Sequence, residues 1–286
     1  MLKKVIGTIF SIVLLQLLVL GISGCGEEKP SSSISQIQPD SSNPSNPGVT
    51  LSKPLNTPKS PSYQKAQAVP VLYYHSVMLE EGNEVRMPPD QFEGQMAYLR
   101  EKGYESVSLD QLSQALNKGG ILPPKPFVIT FDDGYEDNYT TAFPIVKKYG
   151  FTAAVFMVSS YIGGEGFMSW PQLRELLANG WEIEGHTVNH PYLSHSNKTV
   201  VFNELLSSKE TLEKGLGKPV KFFAYPYGDL NADVAQAVKD SGYVMAFTTE
   251  RGWADLSLDE WHVQRVYCFA NMGLNEFSRR LQDPNY

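Results

Sequence analysis

Two adjacent aspartates follow the most strand-like segment of the chain. Residues 126–131 (PFVITF) are apolar or β-branched for most of their length, and Asp132, Asp133 and Gly134 come directly after them. Neighbouring carboxylates repel each other, so one of them must meet a cation or hold a proton more tightly than usual. A metal ion bound by Asp133 would leave Asp132 free as a general base. The alternative is an ordinary turn, in which one aspartate caps the next helix.

Two histidines four residues apart form a second candidate group. His186 and His190 lie in the segment HTVNH, and on one helical turn this spacing would place both imidazoles on the same face. Two imidazoles and one carboxylate suit a divalent transition metal and leave positions open for water. The alternative is a solvent-exposed pair on a loop, because the segment lacks the glutamate of the zinc-protease motif.

The elements that must position these groups are visible as short apolar runs that alternate with amphipathic stretches. Such alternation is typical of strand–helix units and predicts a parallel sheet or barrel. The seven runs suit a barrel with fewer than eight strands or a strongly curved sheet, and of these we predict a distorted (β/α) barrel with about seven parallel strands. The predicted strands are 69–74, 126–131, 152–158, 181–185, 220–225, 243–249 and 263–269.

Five helices are predicted between these strands. Four of them open on a capping residue, at Asp90, Ser108, Ser169 and Asn231, and close on a glycine. The fifth is expected to run from about residue 199 to residue 216.

Polar groups follow four of the predicted strands. They are His75, the aspartate pair at 132–133, His186 and the segment PYG at 226–228. Because the carboxyl ends of parallel strands meet at one edge, we expect these groups to lie close together.

Three motifs on these strand ends resemble a known family. TFDDG (130–134), HTVNH (186–190) and FAYPYG (223–228) are similar, in this order, to the first three motifs of the NodB-type polysaccharide deacetylases, carbohydrate esterase family 4. The resemblance covers roughly residues 69–270. It implies metal-assisted hydrolysis of the N-acetyl group of a hexosamine polymer, with release of acetate.

The resemblance also implies a role for each matching residue. Asp132 would be the general base, and Asp133, His186 and His190 would bind one divalent metal ion. The backbone N–H of Tyr227 would donate to the oxyanion. Zinc is the metal most often found in this family, with nickel, cobalt or iron as alternatives.

The sequence departs from the main family at one supporting position. Most members carry an arginine, which orients the base, where this chain has Ala224. Arg265 follows the start of the last predicted strand and could supply that arginine from another strand. A structural or surface salt bridge is an equal alternative for Arg265.

The general acid is expected at the beginning of the domain. PVLYYHSV (70–77), with the stretch 87–112 after it, resembles the subgroup that deacetylates poly-β-1,6-N-acetylglucosamine, in which the catalytic histidine lies on an early strand. The resemblance implies that His75 protonates the departing amine, which is otherwise a poor leaving group. The alternative is a histidine that only satisfies a strand end.

Several aromatic residues flank these motifs. Tyr74, Tyr135 and Tyr227 are predicted to stack on sugar rings, with core or rim packing as the alternative for each.

The first 24 residues indicate export. A basic start and an apolar run lead to Ile22-Ser23-Gly24-Cys25, which resembles the lipobox of bacterial lipoproteins and implies cleavage before Cys25 and acylation of its thiol. An uncleaved membrane anchor is the alternative, because the apolar run is long. Both interpretations place the rest of the chain outside the cytoplasm, and we expect an extracytoplasmic protein anchored by lipid to the cell membrane.

Composition separates the remaining chain into two parts. Residues 26–67 hold 10 Ser, 7 Pro and 3 Asn, which is typical of a disordered tether. We therefore divide the chain into a signal peptide (1–24), a lipidated cysteine with its tether (25–68) and a catalytic domain (69–286).

Charge and cysteine content exclude other classes. Without Lys3 and Lys4 the chain has 22 Lys and Arg against 31 Asp and Glu, a net charge of 22 − 31 = −9, which argues against a nucleic-acid partner. If Cys25 carries lipid, Cys268 has no partner for an intramolecular disulfide. We expect a monomer.

The leading functional hypothesis is N-deacetylation of a cell-surface N-acetylglucosamine polymer, foremost poly-β-1,6-N-acetyl-D-glucosamine. A β-1,4 polymer, either peptidoglycan or chitin-type, is the alternative substrate. A non-catalytic polysaccharide-binding lipoprotein is the alternative from another class, although it would need neither an acid nor a base. An iron oxygenase would use the two histidines and one carboxylate but would leave Asp132 unexplained.

Overall fold

Residues 68–255 and 259–286 are described by the computed structural model, and the predicted signal peptide and most of the tether lie outside them. In chain order the elements are β1 (Ala68–Val69), β2 (Val71–Tyr74), α1 (Pro89–Glu101), β3 (Glu105–Ser106), α2 (Leu109–Lys118), β4 (Pro126–Asp133), α3 (Phe143–Lys148), β5 (Ala154–Met157), α4 (Trp170–Ala178), β6 (Glu182–Gly185), α5 (Lys198–Leu216), β7 (Phe222–Ala224), α6 (Ala232–Asp240), β8 (Met245–Arg251), β9 (Ala254–Asp255), β10 (Val263–Tyr267) and α7 (Gly273–Arg280).

Seven parallel strands close into a ring. Around it the order is β2, β10, β8, β7, β6, β5 and β4, and β4 pairs again with β2. The prediction of a distorted (β/α) barrel with about seven parallel strands is confirmed, and each of the seven predicted runs overlaps one strand of the ring, although β4 and β8 extend two residues beyond their predicted ends. Short β3 pairs with the first two residues of β4, while β1 and β9 form a separate antiparallel pair.

Successive side chains of a strand point to opposite faces, so alternate residues of each barrel strand pack into two different apolar layers. On β5, Ala154 and Phe156 belong to the cluster that fills the barrel together with the apolar face of α2. Val155 and Met157 belong to the larger cluster between the barrel and the outer helices. Which layer a residue enters is therefore decided by its parity along the strand.

The five predicted helices are present, with one corrected boundary. Ser108 caps α2 through the backbone N–H of Gln111, and Gly119 ends that helix in the left-handed conformation, with φ 66°. Asp90 is not a cap, because α1 begins at Pro89 and Asp90 lies in its first turn. Pro89 suits the first helical position, where no backbone donor is needed.

Two described helices were not predicted. α3 is only six residues long and follows a π-helical turn at Asn138–Ala142, and α7 has eight residues. Within the described residues, no helix combines the length and the apolarity needed to cross a bilayer.

Candidate active site

Strand register brings the aspartate pair beside the first histidine of HTVNH. Asp133 is paired with Met157 on β5, and Met157 is paired with Gly185 on β6. His186 follows Gly185 directly, so it leaves the barrel one residue beyond the level of Asp133.

Asp133, His186 and His190 form a compact triangle of ligand atoms. Oδ1 of Asp133 lies 3.5 Å from Nε2 of His186 and 3.3 Å from Nε2 of His190, and the two Nε2 atoms are 3.2 Å apart. Metal–ligand bonds of 2.0–2.1 Å in a tetrahedron place neighbouring ligand atoms about 3.3–3.4 Å apart. The triangle therefore has the size of one face of a tetrahedral metal site, and Oδ1 of Asp133 is buried without a hydrogen-bond partner among the described residues.

The orientation of His186 also fits a ligand. Its Nδ1 lies 2.7 Å from the carbonyl oxygen of Ala224, so Nδ1 carries the proton that it donates to this oxygen. The lone pair is then on Nε2, which faces Asp133 and His190. Position 224, where the family arginine is absent, thus contributes its backbone to the site.

The HTVNH segment is not the helical turn that its spacing predicted. Residues 186–190 form a loop in which Thr187 has φ 68° and His190 has φ 58°. The Thr187 hydroxyl accepts the backbone N–H of His190 at 2.9 Å and holds this bend. The two imidazoles meet because the backbone reverses, not because they share a helix face.

Backbone strain is concentrated at this site. Among the described residues, four that are not glycine have positive φ: Asp133 (71°), Thr187 (68°), His190 (58°) and Tyr227 (60°). Such conformations cost about 1–3 kcal/mol each and are retained where surrounding structure enforces them, commonly at functional sites. All four belong to the predicted motifs, which supports a functional role for this edge of the barrel.

Asp132 points into the barrel, where Arg265 meets it. Nη1 and Nη2 of Arg265 donate to the two carboxylate oxygens of Asp132, each at 2.8 Å. Nε donates to the carbonyl of Thr248 at 2.9 Å, and the guanidinium lies over the Tyr73 ring at 4.3 Å. Arg265 is fully buried, so it is an internal partner of Asp132 and not a surface salt bridge.

The two aspartates differ in their electrostatic surroundings. Burial alone would raise the pKa of Asp132, but the Arg265 guanidinium outweighs it and holds that pKa at about 2. Burial also opposes ionisation of Asp133, and the neighbouring His186 lowers the pKa of Asp133 instead. The pKa values of both carboxylates are thus held low, that of Asp132 by Arg265 and that of Asp133 mainly by His186.

The histidines respond to the same charges. Burial works against a charged His186, but Asp133 and Asp132 outweigh it and raise its pKa. Burial and the neighbouring His186 lower the pKa of His190 to about 4. The carboxylate of Asp133 therefore draws positive charge to the triangle, and a divalent cation can replace the proton there.

His75 lies near the aspartate pair at the end of β2. Burial lowers its pKa, and the charges of Asp132 and Asp133 act against that shift. Its Nδ1 is buried and has no hydrogen-bond partner among the described residues. The rings of Tyr73 and Tyr267 meet the imidazole edge to face, with centroids 6.0 Å and 6.3 Å away.

The three predicted sugar-stacking tyrosines have different surroundings. Tyr74 is fully buried and donates its hydroxyl to Gln95 at 2.7 Å, so the prediction that it contacts sugar is wrong. It belongs to the outer apolar layer because its parity on β2 is opposite to that of Tyr73. Tyr135 is partly exposed and stacks on Phe167, with ring centroids 5.1 Å apart.

Tyr227 is the most accessible of the three. It is 52% exposed, its ring meets His190 at 4.4 Å, and it stacks on Tyr192 at 4.0 Å. Tyr192 is itself 50% exposed, so the pair forms an accessible aromatic surface beside the metal-ligand triangle.

Sequence reasoning missed a buried glutamate that supports the HTVNH loop. Oε2 of Glu204 accepts the backbone N–H groups of Val188 and Asn189, both at 2.8 Å, and Oε1 accepts the Asn189 side chain at 2.7 Å. A signal existed, because Glu204 is three residues after buried Val201 and four before buried Ser208 on the inner face of α5. A carboxylate on that face needs nearby donors.

Comparison with known proteins agrees with this geometry. A family model described as "Polysaccharide deacetylase" matches residues 119–246. The "Putative polysaccharide deacetylase YxkH" of Bacillus subtilis is 32% identical over 219 residues, which cover 77% of this chain and 78% of that protein. A poly-β-1,6-N-acetyl-D-glucosamine N-deacetylase of Staphylococcus aureus is 28% identical over 239 residues, covering 74% and 82% of the two chains.

A solved structure has the same fold. The Streptococcus pyogenes deacetylase PplD in complex with acetate superimposes with a TM-score of 0.72 at 26% identity, over 78% of this chain and 100% of that one.

Proposed function

The chain belongs to the polysaccharide deacetylase family, whose members are hydrolases of amide bonds, and from this premise we propose that it removes N-acetyl groups from poly-β-1,6-N-acetyl-D-glucosamine at the cell surface. The observation that carries the proposal is the ligand triangle of Asp133, His186 and His190 directly beside the Asp132–Arg265 pair. The Staphylococcus aureus relative is named for this substrate, and the PplD structure holds acetate, the product of deacetylation.

The metal of this proposal is a single divalent ion, with zinc as the leading candidate and nickel, cobalt or iron as alternatives. Asp133, His186 and His190 would hold it, and their ligand atoms lie within 4.8 Å of one another. An ion bound there would act as a Lewis acid toward water and the acetyl carbonyl.

The residues of the chain supply the proton transfers. Arg265 keeps Asp132 ionised and oriented. Asp132 accepts a proton from the attacking water molecule while the oxygen of that water forms a bond to the acetyl carbon. The backbone N–H of Tyr227 donates to the oxyanion. His75 gives a proton to the sugar nitrogen as the C–N bond breaks, so acetate and a free amine leave.

Tyr135 and Tyr227 are proposed to contact the polymer. Tyrosine rings next to a cleft can stack on the apolar faces of sugars, and both side chains are accessible beside the triangle. Tyr74 is excluded from this role by its burial.

The cell-surface setting is proposed from the sequence. A lipidated Cys25 would anchor the chain in the membrane outside the cytoplasm, and the predicted tether would link this anchor to the catalytic domain. The catalytic domain would act as a monomer on polymer near the membrane.

The test compares β-1,6 and β-1,4 N-acetylglucosamine oligomers with the purified protein, before and after chelation and with zinc restored. We expect acetate release that prefers the β-1,6 oligomers, disappears on chelation and is lost in Asp132→Asn. Undiminished turnover by Asp132→Asn would contradict the mechanism. Equal rates on the two oligomers would contradict the proposed preference for the β-1,6 polymer and would leave a β-1,4 polymer as an equally supported substrate.

A further inference from the structure

The segment after the aspartate pair also contacts the strand that carries His75. β2 and β4 are neighbours in the ring, paired from Val71 with Val128 to Tyr74 with Phe131. Beyond this pairing, Asp137 and Asn138 at the π-helical turn contact the residues that follow β2.

Three consecutive residues after β2 are each held by this turn. The carbonyl of His75 accepts Nδ2 of Asn138 at 2.7 Å. The Ser76 hydroxyl donates to Oδ2 of Asp137, and the backbone N–H of Val77 donates to Oδ1 at 2.8 Å. Asn138 and Ser76 are fully buried and the Asp137 side chain is mostly buried, so these bonds are largely shielded from water.

Arg86 completes this cluster from the far side of the loop. Its Nη1 donates to the Ser76 hydroxyl at 2.8 Å and lies 3.7 Å from Oδ2 of Asp137. Its guanidinium covers the Tyr135 ring at 4.6 Å. The partly buried carboxylate of Asp137 therefore has a cation and three donors, namely the Ser76 hydroxyl, the Val77 N–H and the Asn138 amide, which act against the rise in its pKa that burial causes.

The side chain of His75 lacks such support of its own. Its buried Nδ1 has no partner among the described residues, so no hydrogen bond at that atom fixes the ring. The direction of the imidazole must follow from the backbone of residues 75–77 and from packing against Tyr73 and Tyr267.

We propose that Asp137 and Asn138 are positioning residues, which fix the backbone of His75 so that its imidazole reaches the departing nitrogen. The inference rests on the proposed function, in which His75 is the acid. Direct hydrogen bonds thus tie the residue that supplies the acid, just after β2, to the turn that follows the base on β4.

The test uses two substrates that differ in their need for an acid. Amide hydrolysis of the β-1,6 oligomer requires protonation of the amine, whereas an aryl acetate ester such as 4-nitrophenyl acetate releases a phenolate that needs no proton. A misplaced acid should therefore slow the amide reaction and spare the ester reaction. General loss of folded protein would slow both equally.

The variants are Asp137→Ala and Asn138→Ala in the full chain, with His75→Ala as the reference. Displacing a catalytic group by about 1 Å can cost about 100-fold, so we expect kcat/KM for the amide to fall roughly 10- to 100-fold. We expect kcat/KM for the ester to change less than about threefold, by the same reasoning on the leaving group. Glu136→Ala is the matched control, because this exposed carboxylate on the same turn has its side-chain bond with Gln172 instead.

A double-mutant cycle separates this role from a merely structural one. In the His75→Ala background, Asp137→Ala and Asn138→Ala should cause little further loss, because the acid that they position is gone. If Asp137→Ala does not fold, Asp137→Asn and Ser76→Ala replace it in the same double-mutant cycle, because each removes only part of the contact between Asp137 and residues 76–77. Additive losses, or equal losses on amide and ester, would overturn the inference.

The activity of the native protein distinguishes failure of the proposed function from failure of this inference. Native protein that releases acetate from neither oligomer overturns the proposed function and this inference with it. Native protein that is active on the oligomers while the cycle is additive overturns the inference alone.

Discussion

Replacing Arg265 by methionine should destabilise the barrel severely. Arg265 is fully buried and Asp132 is 3% exposed, and two 2.8 Å hydrogen bonds join them. Methionine fills much of the same volume but removes the charge and every donor. The Asp132 carboxylate would then be buried without its cation.

The size of the effect follows from that geometry. Removing one partner of a buried ion pair costs about 3–5 kcal/mol, because the remaining charge has lost its compensation. For a domain of this size, each kcal/mol lowers the melting temperature by about 2–4 °C. We therefore expect Arg265→Met to melt roughly 6–20 °C below the native protein.

A second substitution tests the cause. Asp132→Asn combined with Arg265→Met removes both charges, so the double variant should recover about 1–3 kcal/mol of the free energy of unfolding relative to Arg265→Met alone. Urea denaturation of the four proteins in the presence of chelator measures each value. A loss below about 1 kcal/mol in Arg265→Met, or no recovery in the double variant, would refute the reasoning.

Three further predictions concern the surroundings of the site. Glu204→Ala should weaken zinc binding about 10- to 100-fold in calorimetric titration, because the ligand loop loses its anchor, whereas exposed Glu210→Ala on the same helix should leave it unchanged. Gly134→Ala should lower the free energy of unfolding in urea by about 2–4 kcal/mol, because residue 134 has φ 87° and an added Cβ would overlap a methionine sulfur of β5. The control Gly82→Ala has a similar φ of 77° but open space around the added Cβ, so it should lower the free energy of unfolding by only about 1 kcal/mol. Cys268 is 3% exposed, and burial raises the pKa of its thiol to about 12. The thiol should therefore react with a disulfide reagent only after denaturant is added, and rapid labelling of the native protein would contradict this.

The strand ends could be read from the sequence because each apolar run stops abruptly at a polar group. His75, Asp132 and His186 follow such runs. Parallel strands all run in the same direction, so their carboxyl ends lie at the same edge of the barrel. The ring of seven strands followed from the same runs. These predictions needed only local composition and the alternation of strands with helices.

Contacts that depend on strand order could not be read in this way. Arg265 reaches Asp132 because β10 and β4 flank β2 in the ring and both side chains point into the barrel. The sequence offered Arg265 as a candidate but gave no register between β10 and β4. Tyr74 was misplaced for a related reason, since its direction depends on parity relative to Asp132 through the pairing of β2 with β4.

The predicted helical turn at HTVNH was wrong because the prediction used only the local spacing of the two histidines. A spacing of four residues suits one helical turn, and the only residue that argues against it is Pro191, directly after the segment. The left-handed backbone at Thr187 and His190 is enforced by Glu204 from α5 and by the Thr187 hydroxyl. Strain of this kind is maintained by tertiary contacts, and a local pattern does not record them.

The position of β10 between β2 and β8 has a consequence for shortened versions of the protein. β10 is the last of the seven ring strands along the chain, and it carries Arg265. A chain that stopped before β10 would keep Asp132, His75 and the three ligand residues, but it would lack both the strand that closes the ring and the guanidinium that pairs with Asp132. Truncation at this point would therefore remove closure of the barrel and orientation of the base together.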